Sequence, residues 1–186
     1  MDNSGLEAQL EACHKESYGW ALSCCSGDRE ETEDVLQAVY LKILERKARF
    51  DGRSTFKTWF FSVIRKTVAE RRRRRLFQSL MLARHLRKVS NPAQCRDSDE
   101  NIFGLQFQAA VRRALADLPK RQREALQLVF YHDLSLAETA KVMGVSVGSA
   151  RTHYQRGKRR LRQWLERSRV FNESRLGRRQ NQTTVP

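Results

Sequence analysis

Along this 186-residue chain, apolar residues recur at intervals of three and four and rarely alternate, while glycine (9) and proline (3) are scarce. That spacing is the 3.6-residue period of amphipathic helices, so it predicts an all-α fold with no strand. A first helix is expected from Leu6 to about Ser23. A second starts near Thr32, whose hydroxyl can cap it, with Glu33 and Asp34 supplying charges that suit a helix N-terminus, and runs to about Arg46. Its core face is Val35, Leu36, Val39, Tyr40 and Ile43, and the opposite side carries Asp34, Gln37, Leu41 and Glu45. A leucine among those polar side chains points either to a protein partner or to a second core contact.

The stretch RFDGRST (49–55) holds the only glycine between residues 28 and 103 and reads as a loop. A third helix begins at Phe56, places Phe56, Trp59, Phe60, Val63, Ile64 and Val68 on a broad apolar face, and continues into LFQSLMLARHL. Periodicity is lost over KVSNPAQCRDSDE (88–100), which contains Pro92 and marks a flexible linker. Helices resume with one from about 101 to 116, one beginning at Pro119, where proline suits a first turn, and two more. The expected organisation is therefore two small helical domains, residues 1–87 and 101–167, with a polar, disordered tail over 168–186.

The last two helices are the most informative. Ser135 and Glu138 form a capping box, Gly144 stands where a C-cap glycine belongs, and Ser146 can cap the helix that follows. Ala140 lets the two helices approach, Val145 and Ala150 supply apolar contacts, and the result is the pattern of a helix-turn-helix. On the second helix Val147, Ala150, Tyr154 and Leu161 make the stripe expected to be buried. Ser149, Arg151, Thr152, Gln155, Arg156 and Lys158 lie opposite. Arginine pairs bidentately with guanine, glutamine with adenine, and threonine reaches a base edge or a phosphate, so this side suits a major groove.

Charge strengthens that reading. The formal net charge is +15 and the pI near 10.4, a balance that favours a polyanionic partner. It is unevenly spread: residues 1–50 carry 6 Lys/Arg against 10 Asp/Glu, 51–90 carry 12 against 2, 91–116 carry 3 against 3, and 117–186 carry 15 against 6. The first basic block contains RRRRR (71–75), and Phe56, Trp59, Phe60 and Phe61 lie near Arg53, Lys57, Arg65 and Lys66. Aromatic planes beside cations are what single-stranded DNA binding uses. One helix cannot expose all four rings, so Trp59 and Phe60 are expected to be mainly structural, with Phe56 and its preceding loop better placed to touch bases.

Cys13, Cys24, Cys25 and Cys95 have no CxxC or ligand spacing and read as reduced thiols, with neither metal nor cofactor implied. His14, His85, His132 and His153 are scattered with no carboxylate cluster beside them, which argues against a nuclease. No apolar run approaches the roughly 18 residues of a membrane span and the N-terminus is acidic, so a cytoplasmic chain with no membrane insertion is expected.

Two blocks resemble a known family. EDVLQAVYLKILERKARFDGRSTFKTWFFSVIRKTVAERRRRR looks like region 2 of the extracytoplasmic-function (ECF) sigma factors of bacterial RNA polymerase, in the sigma-70 family, and ALADLPKRQREALQLVFYHDLSLAETAKVMGVSVGSARTHYQRGKRRLR resembles their region 4. The blocks span about residues 30–162 in family order. The resemblance implies a promoter-recognition subunit that is not an enzyme, whose partners are core RNA polymerase and promoter DNA, duplex at −35 and single-stranded at −10. It puts −35 reading on Arg151, Thr152, Gln155 and Arg156, with Ser149 and Lys158 on phosphates. For the −10 element it implies the loop from Arg49 to Phe56, including Phe50, Arg53, Ser54 and Thr55, with Arg65, Lys66, Arg71, Arg72, Arg73 and Arg74 along the strand. Asp34, Gln37 and Leu41 match the polymerase-facing helix. Family members are often held by an anti-sigma factor, and the free chain is expected to be a monomer. The chain has Lys66 where the family often has Asn, Glu70 where it often has Asp, and Gln155 where His or an aromatic is common. The rival reading is an autonomous helix-turn-helix regulator binding duplex DNA alone.

Overall fold

The computed structural model describes residues 3–85, 111 and 113–167. Every regular element among them is an α-helix. The backbone divides into two compact units, residues 1–96 with 137–145 and residues 97–136 with 146–186. The expected linker over 88–100 and tail over 168–186 lie outside the described residues, as does most of the helix expected over 101–116.

The first unit opens with α1 (Asn3–Ala12) and α2 (His14–Cys24), where the sequence predicts a single helix. The two are separated at Cys13, yet backbone bonds from Cys13 N to Gln9 O (3.2 Å) and from Ser17 N to Cys13 O (2.9 Å) carry the helical pattern across. The chain then turns through Ser26 and Gly27, both at positive φ, and Gly27 N donates back to Leu22 O at 2.8 Å, closing the helix end.

Helix α3 spans Arg29–Leu44, four residues earlier at its start than Thr32 as a cap implies. Asp28 is the cap, its carboxylate accepting from Glu31 N at 2.9 Å. Thr32 sits inside the helix and turns its hydroxyl back onto the Asp28 carbonyl, the use a mid-helix threonine makes of the turn below it. Glu30 and Glu31 then supply the favourable first-turn charge.

Loop 49–55 is present as expected. Gly52 supplies its left-handed turn (φ 73°), Asp51 accepts from Arg53 N at 3.2 Å, and Thr55 Oγ1 accepts from Thr58 N at 3.3 Å at the start of α4 (Phe56–His85). The core of the unit is Trp20, Val35, Val39, Ile43, Phe60, Phe61, Ile64 and Val68, each at most 2% exposed. Phe61, outside the predicted apolar face, is fully buried because Trp20 of α2 packs on it (ring centroids 5.9 Å apart) and donates its indole N–H to the Phe61 carbonyl at 3.1 Å. A buried indole needs that acceptor. Trp59 and Phe56 are only half-buried.

In the second unit, residues 113–116 are helical and lead to α5 (Lys120–Phe130). Pro119 is the residue before the first turn, its carbonyl accepting from Gln122 N (2.8 Å) and Arg123 N (3.1 Å). The core gathers Leu115, Leu118 and Leu126, with Val111, Tyr154 and Leu161 packed on it. Tyr154 and Leu161 belong to α7 (Val147–Arg167); the short α6 (Leu136–Met143) precedes it in the chain and falls, from Ala137 on, with the first unit. Between Tyr154 and Leu161 the stripe is completed by Gly157. A Cβ there would stand 3.1 Å from both Gln122 O and Leu126 Cδ1, so α5 and α7 approach as closely as they do because that position has no side chain.

Candidate nucleic-acid interface

The junction of α6 and α7 is built from the turn outward. Gly144 lies at φ 64°, a conformation a branched side chain resists, Gly144 N donates to Lys141 O (3.2 Å) and Val145 N to Ala140 O (3.1 Å). Ser146 Oγ accepts from Ser149 N at 3.1 Å and so caps α7. Ala140 and Met143 of α6 are buried, and so is Ala150 of α7.

From there α7 presents Ser149, Arg151, Thr152, Gln155, Arg156 and Lys158, all exposed. Arg151, Thr152, Gln155 and Arg156 follow the three-and-four spacing that puts them on one face of the helix. Ser149 Oγ is bonded to Ser146 Oγ at 2.9 Å, and Thr152 donates its hydroxyl to Gly148 O at 2.9 Å, which leaves its oxygen as an acceptor toward solvent. Arg159 continues the same spacing and is also exposed; the period 151, 155, 159 was the signal that could have found it. The expected burial of Val147 is corrected: it is 46% exposed, because it opens the helix, one residue after the cap, and the packed stripe begins only at Ala150.

In the first unit, Phe50 closes the 49–55 loop against Phe56 (ring centroids 5.6 Å) and Trp59 (5.4 Å), while Phe56 also meets Trp59 (5.3 Å) and the buried Phe60 (5.8 Å). Beside this cluster is an open cleft of about 220 Å³ lined by Leu6, Ile43, Leu44, Arg46, Ala48, Arg49, Phe50 and Trp59. The cleft therefore combines two aromatic planes with two guanidinium groups, and Trp59 rather than Phe56 stands on its wall. The α1 and α3 residues of that wall were not legible in the sequence, because only the fold brings them to the loop.

Arg53 projects from the loop with its side chain 88% exposed and pairs with Asp51 at 3.3 Å; Ser54 is half-buried and Thr55 exposed. Along α4, Lys66 is exposed and Arg65 half-buried. The arginine run divides. Arg71 donates to the backbone carbonyl and the carboxylate of Asp34, Arg72 to Cys24 O (2.8 Å) and Ser26 Oγ (3.2 Å), and Arg75 pairs with the buried Glu31 (3.0 Å). Arg73 and Arg74 are exposed.

On α3, Asp34, Gln37 and Leu41 lie along one exposed stripe, Leu41 at 56% and Leu44 beyond it at 50%. Asp34 is held there by Arg71. Burial pushes the Cys13 and Cys25 thiols up, with Glu16 and Glu31 respectively adding to the effect, so both thiols are kept protonated rather than reactive. No helix among the described residues is long and apolar enough to cross a membrane.

Residues 10–76 match the family model for Sigma-70 region 2, and residues 108–161 match that for Sigma-70, region 4. The ECF RNA polymerase sigma factor SigX of Bacillus subtilis is 31% identical over 144 residues, covering 75% of this chain and 73% of its own. SigF of Caulobacter vibrioides, also an ECF RNA polymerase sigma factor, is 30% identical over 144 residues, 77% of this chain and 75% of its own. Among solved structures, the sigma factor RpoE of Bartonella quintana, crystallised with the anti-sigma factor NepR, shares the fold with a TM-score of 0.65 at 23% identity, over 89% of this chain and 99% of that one. Two region matches in order, with relatives of this identity across three quarters of their length, show that the chain belongs to the ECF RNA polymerase sigma factors of the sigma-70 family.

Proposed function

We propose that this sigma factor directs core RNA polymerase to its promoters by reading the −35 element as duplex with α7 and the −10 element as single strand at the 49–56 loop and α4, assisting the melting of the promoter as it does so. The observation that carries the reading is the exposed face of α7: Arg151, Thr152, Gln155 and Arg156 at helical spacing, rising from a capped glycine turn. Arg151, Gln155 and Arg156 supply base-edge contacts, Thr152 offers an acceptor, and Ser149 and Lys158 fall where phosphates run.

In the first domain, residues 1–87, the cleft of Arg46, Arg49, Phe50 and Trp59 has the chemistry to receive an unstacked base, an aromatic plane for its face and guanidinium groups for its phosphate. Arg53, Ser54, Thr55, Phe56, Arg65, Lys66, Arg73 and Arg74 extend that track, and Arg71 and Arg72 support it from behind through their bonds to Asp34 and Cys24. Gln37 and Leu41, with Asp34, form the polymerase-facing stripe on α3. Residues 101–167 form the second domain. The protein is a cytoplasmic monomer when free and is not itself an enzyme; bond making belongs to the polymerase. An anti-sigma factor that covers the DNA-binding surfaces would hold it inactive.

The reading of the chain as an autonomous regulator is not favoured, because the region 2 match covers 10–76, a part such a regulator does not need. The test is run-off transcription by purified core polymerase, with and without the protein, on a promoter library read by sequencing. Transcripts starting below a shared −35/−10 pair are expected. Specific duplex binding by the protein alone, with no dependent transcript, would return the reading to the free regulator.

A further inference from the structure

Helix α4 changes character past the arginine run. Leu76 is 62% exposed, Phe77 64%, Leu80 64% and Met81 60%. The pairs 76/80 and 77/81 are one turn apart, so the four side chains form a single stripe. It is not an extension of the helix's buried face. Phe60, Ile64 and Val68, followed by Arg71 and Arg75 with their bonds to Asp34 and Glu31, trace the inward side, and at 100° per residue the stripe falls roughly opposite it. The region 2 match ends at residue 76, so three of the four side chains, Phe77, Leu80 and Met81, lie beyond it.

Four large apolar side chains, each about three-fifths exposed, make a contiguous patch of the size that on soluble proteins marks a binding site, on the order of a few hundred Å². The surrounding charge says what kind. Along α4 from Arg71 to His85 the sequence holds six arginines and no Asp or Glu, with Arg73 and Arg74 exposed, so two copies meeting stripe to stripe would set like charge against like, and an acidic partner is selected. Three of the four side chains are aliphatic and have no π-face on which a base could stack, which disfavours single-stranded DNA as the occupant. Reach narrows it further. Leu80 follows Arg74 by six residues on one continuous helix, an axial distance of about 9 Å at 1.5 Å per residue. Whatever the stripe meets must therefore be beside the promoter strand when Arg73 and Arg74 hold that strand.

We propose that Leu76, Phe77, Leu80 and Met81 dock in an apolar groove rimmed by acidic side chains on core RNA polymerase, a contact separate from the α3 stripe of Asp34, Gln37 and Leu41. The inference rests on the reading of the chain as a working sigma factor that places Arg73 and Arg74 on DNA. The stripe anchors the far end of α4 to the enzyme, and the arginines between the two contacts are thereby held against the strand.

The experiment titrates fluorescently labelled full-length protein with purified core polymerase in the absence of DNA, comparing wild type with the double variant Phe77→Ser, Leu80→Ser. The expected result is a Kd at least tenfold weaker for the double variant, with circular dichroism and melting unchanged because both side chains are exposed. Leu80→Met, which keeps the apolar area, should bind within about twofold of wild type. Should the double variant lose helix, Leu76→Ser and Met81→Gln singly, each weakening binding by about threefold at full helicity, carry the same test. Equal affinity of wild type and all serine or glutamine variants overturns the proposal while leaving the sigma reading intact. Failure of the wild type itself to bind core polymerase overturns both. Sedimentation of the wild type, but not the double variant, with vesicles of one part phosphatidylglycerol to three of phosphatidylcholine, at unchanged polymerase affinity, would reassign the stripe to a lipid surface and reject the protein contact.

Discussion

Helices α4 and α7 are both rich in arginine, and they use it in opposite ways. In α4 five arginines are consecutive, so successive side chains fan around the axis by 100° each and cannot all face one partner. Arg71, Arg72 and Arg75 turn inward to Asp34, Cys24 and Glu31, stapling α4 to the helices beneath it, and Arg73 and Arg74 are left facing solvent. In α7 the polar side chains at 151, 152, 155 and 156 are spaced by three and four and all four are exposed together. The number of charges in a run thus overstates what reaches a ligand. Spacing decides it.

The largest effect expected from perturbing this pair lies beneath the α7 surface. Gly157→Leu drives a side chain into Gln122 O and Leu126, and overpacking of this kind costs about 3 kcal/mol, to be seen as a lowered denaturation midpoint and loss of −35 binding together. Next, Arg151→Ala should relax preference at a single −35 position by about 2 kcal/mol in a library selection; preference unchanged at every position would remove its base-reading role. The contrast within α4 is smaller and more telling. Arg71→Ala should lower stability by about 1 kcal/mol, the loss of a partly exposed ion pair plus a backbone bond, whereas Arg73→Ala should leave stability within about 0.5 kcal/mol and reduce the salt slope of promoter binding by about one. Identical behaviour of the two variants would mean that the run is not divided. The smallest effect belongs to Val147→Ser, which should shift stability by less than about 0.5 kcal/mol because the side chain is already in solvent.

Much of this arrangement was legible in the chain. The loop at 49–55, the start of α4 at Phe56 and the glycine turn at Gly144 were all readable because each is set by local chemistry: a lone glycine, a change of periodicity, a cap. What the sequence hid depends on partners far along it. Thr32 and Asp28 are both able to cap a helix, and only the folded backbone shows that Asp28 does so while Thr32 bonds inward. Gly157 looks like a weak point in an amphipathic helix until α5 is seen to cross at that position. The inward half of the arginine run answers to acceptors 37 to 48 residues away, which no window along α4 contains. In the candidate site, the exposed face of α7 was readable from its period, whereas the cleft at the loop was not, since Leu6 and Ile43 reach it from two other helices.

The three tryptophans stand in three different environments. Trp20 is sealed in the core with its N–H bonded to Phe61, Trp59 borders the cleft beside Arg46 and Arg49, and Trp164 is half-buried near the end of α7. The chain therefore carries its own optical probes: under the proposed reading a base stacked in the cleft would quench the emission of Trp59, while Trp20, buried in the core, serves as an internal reference. With Trp164→Phe to silence the third, the proposed capture of a melted base would be followed as a fluorescence signal that needs no added dye.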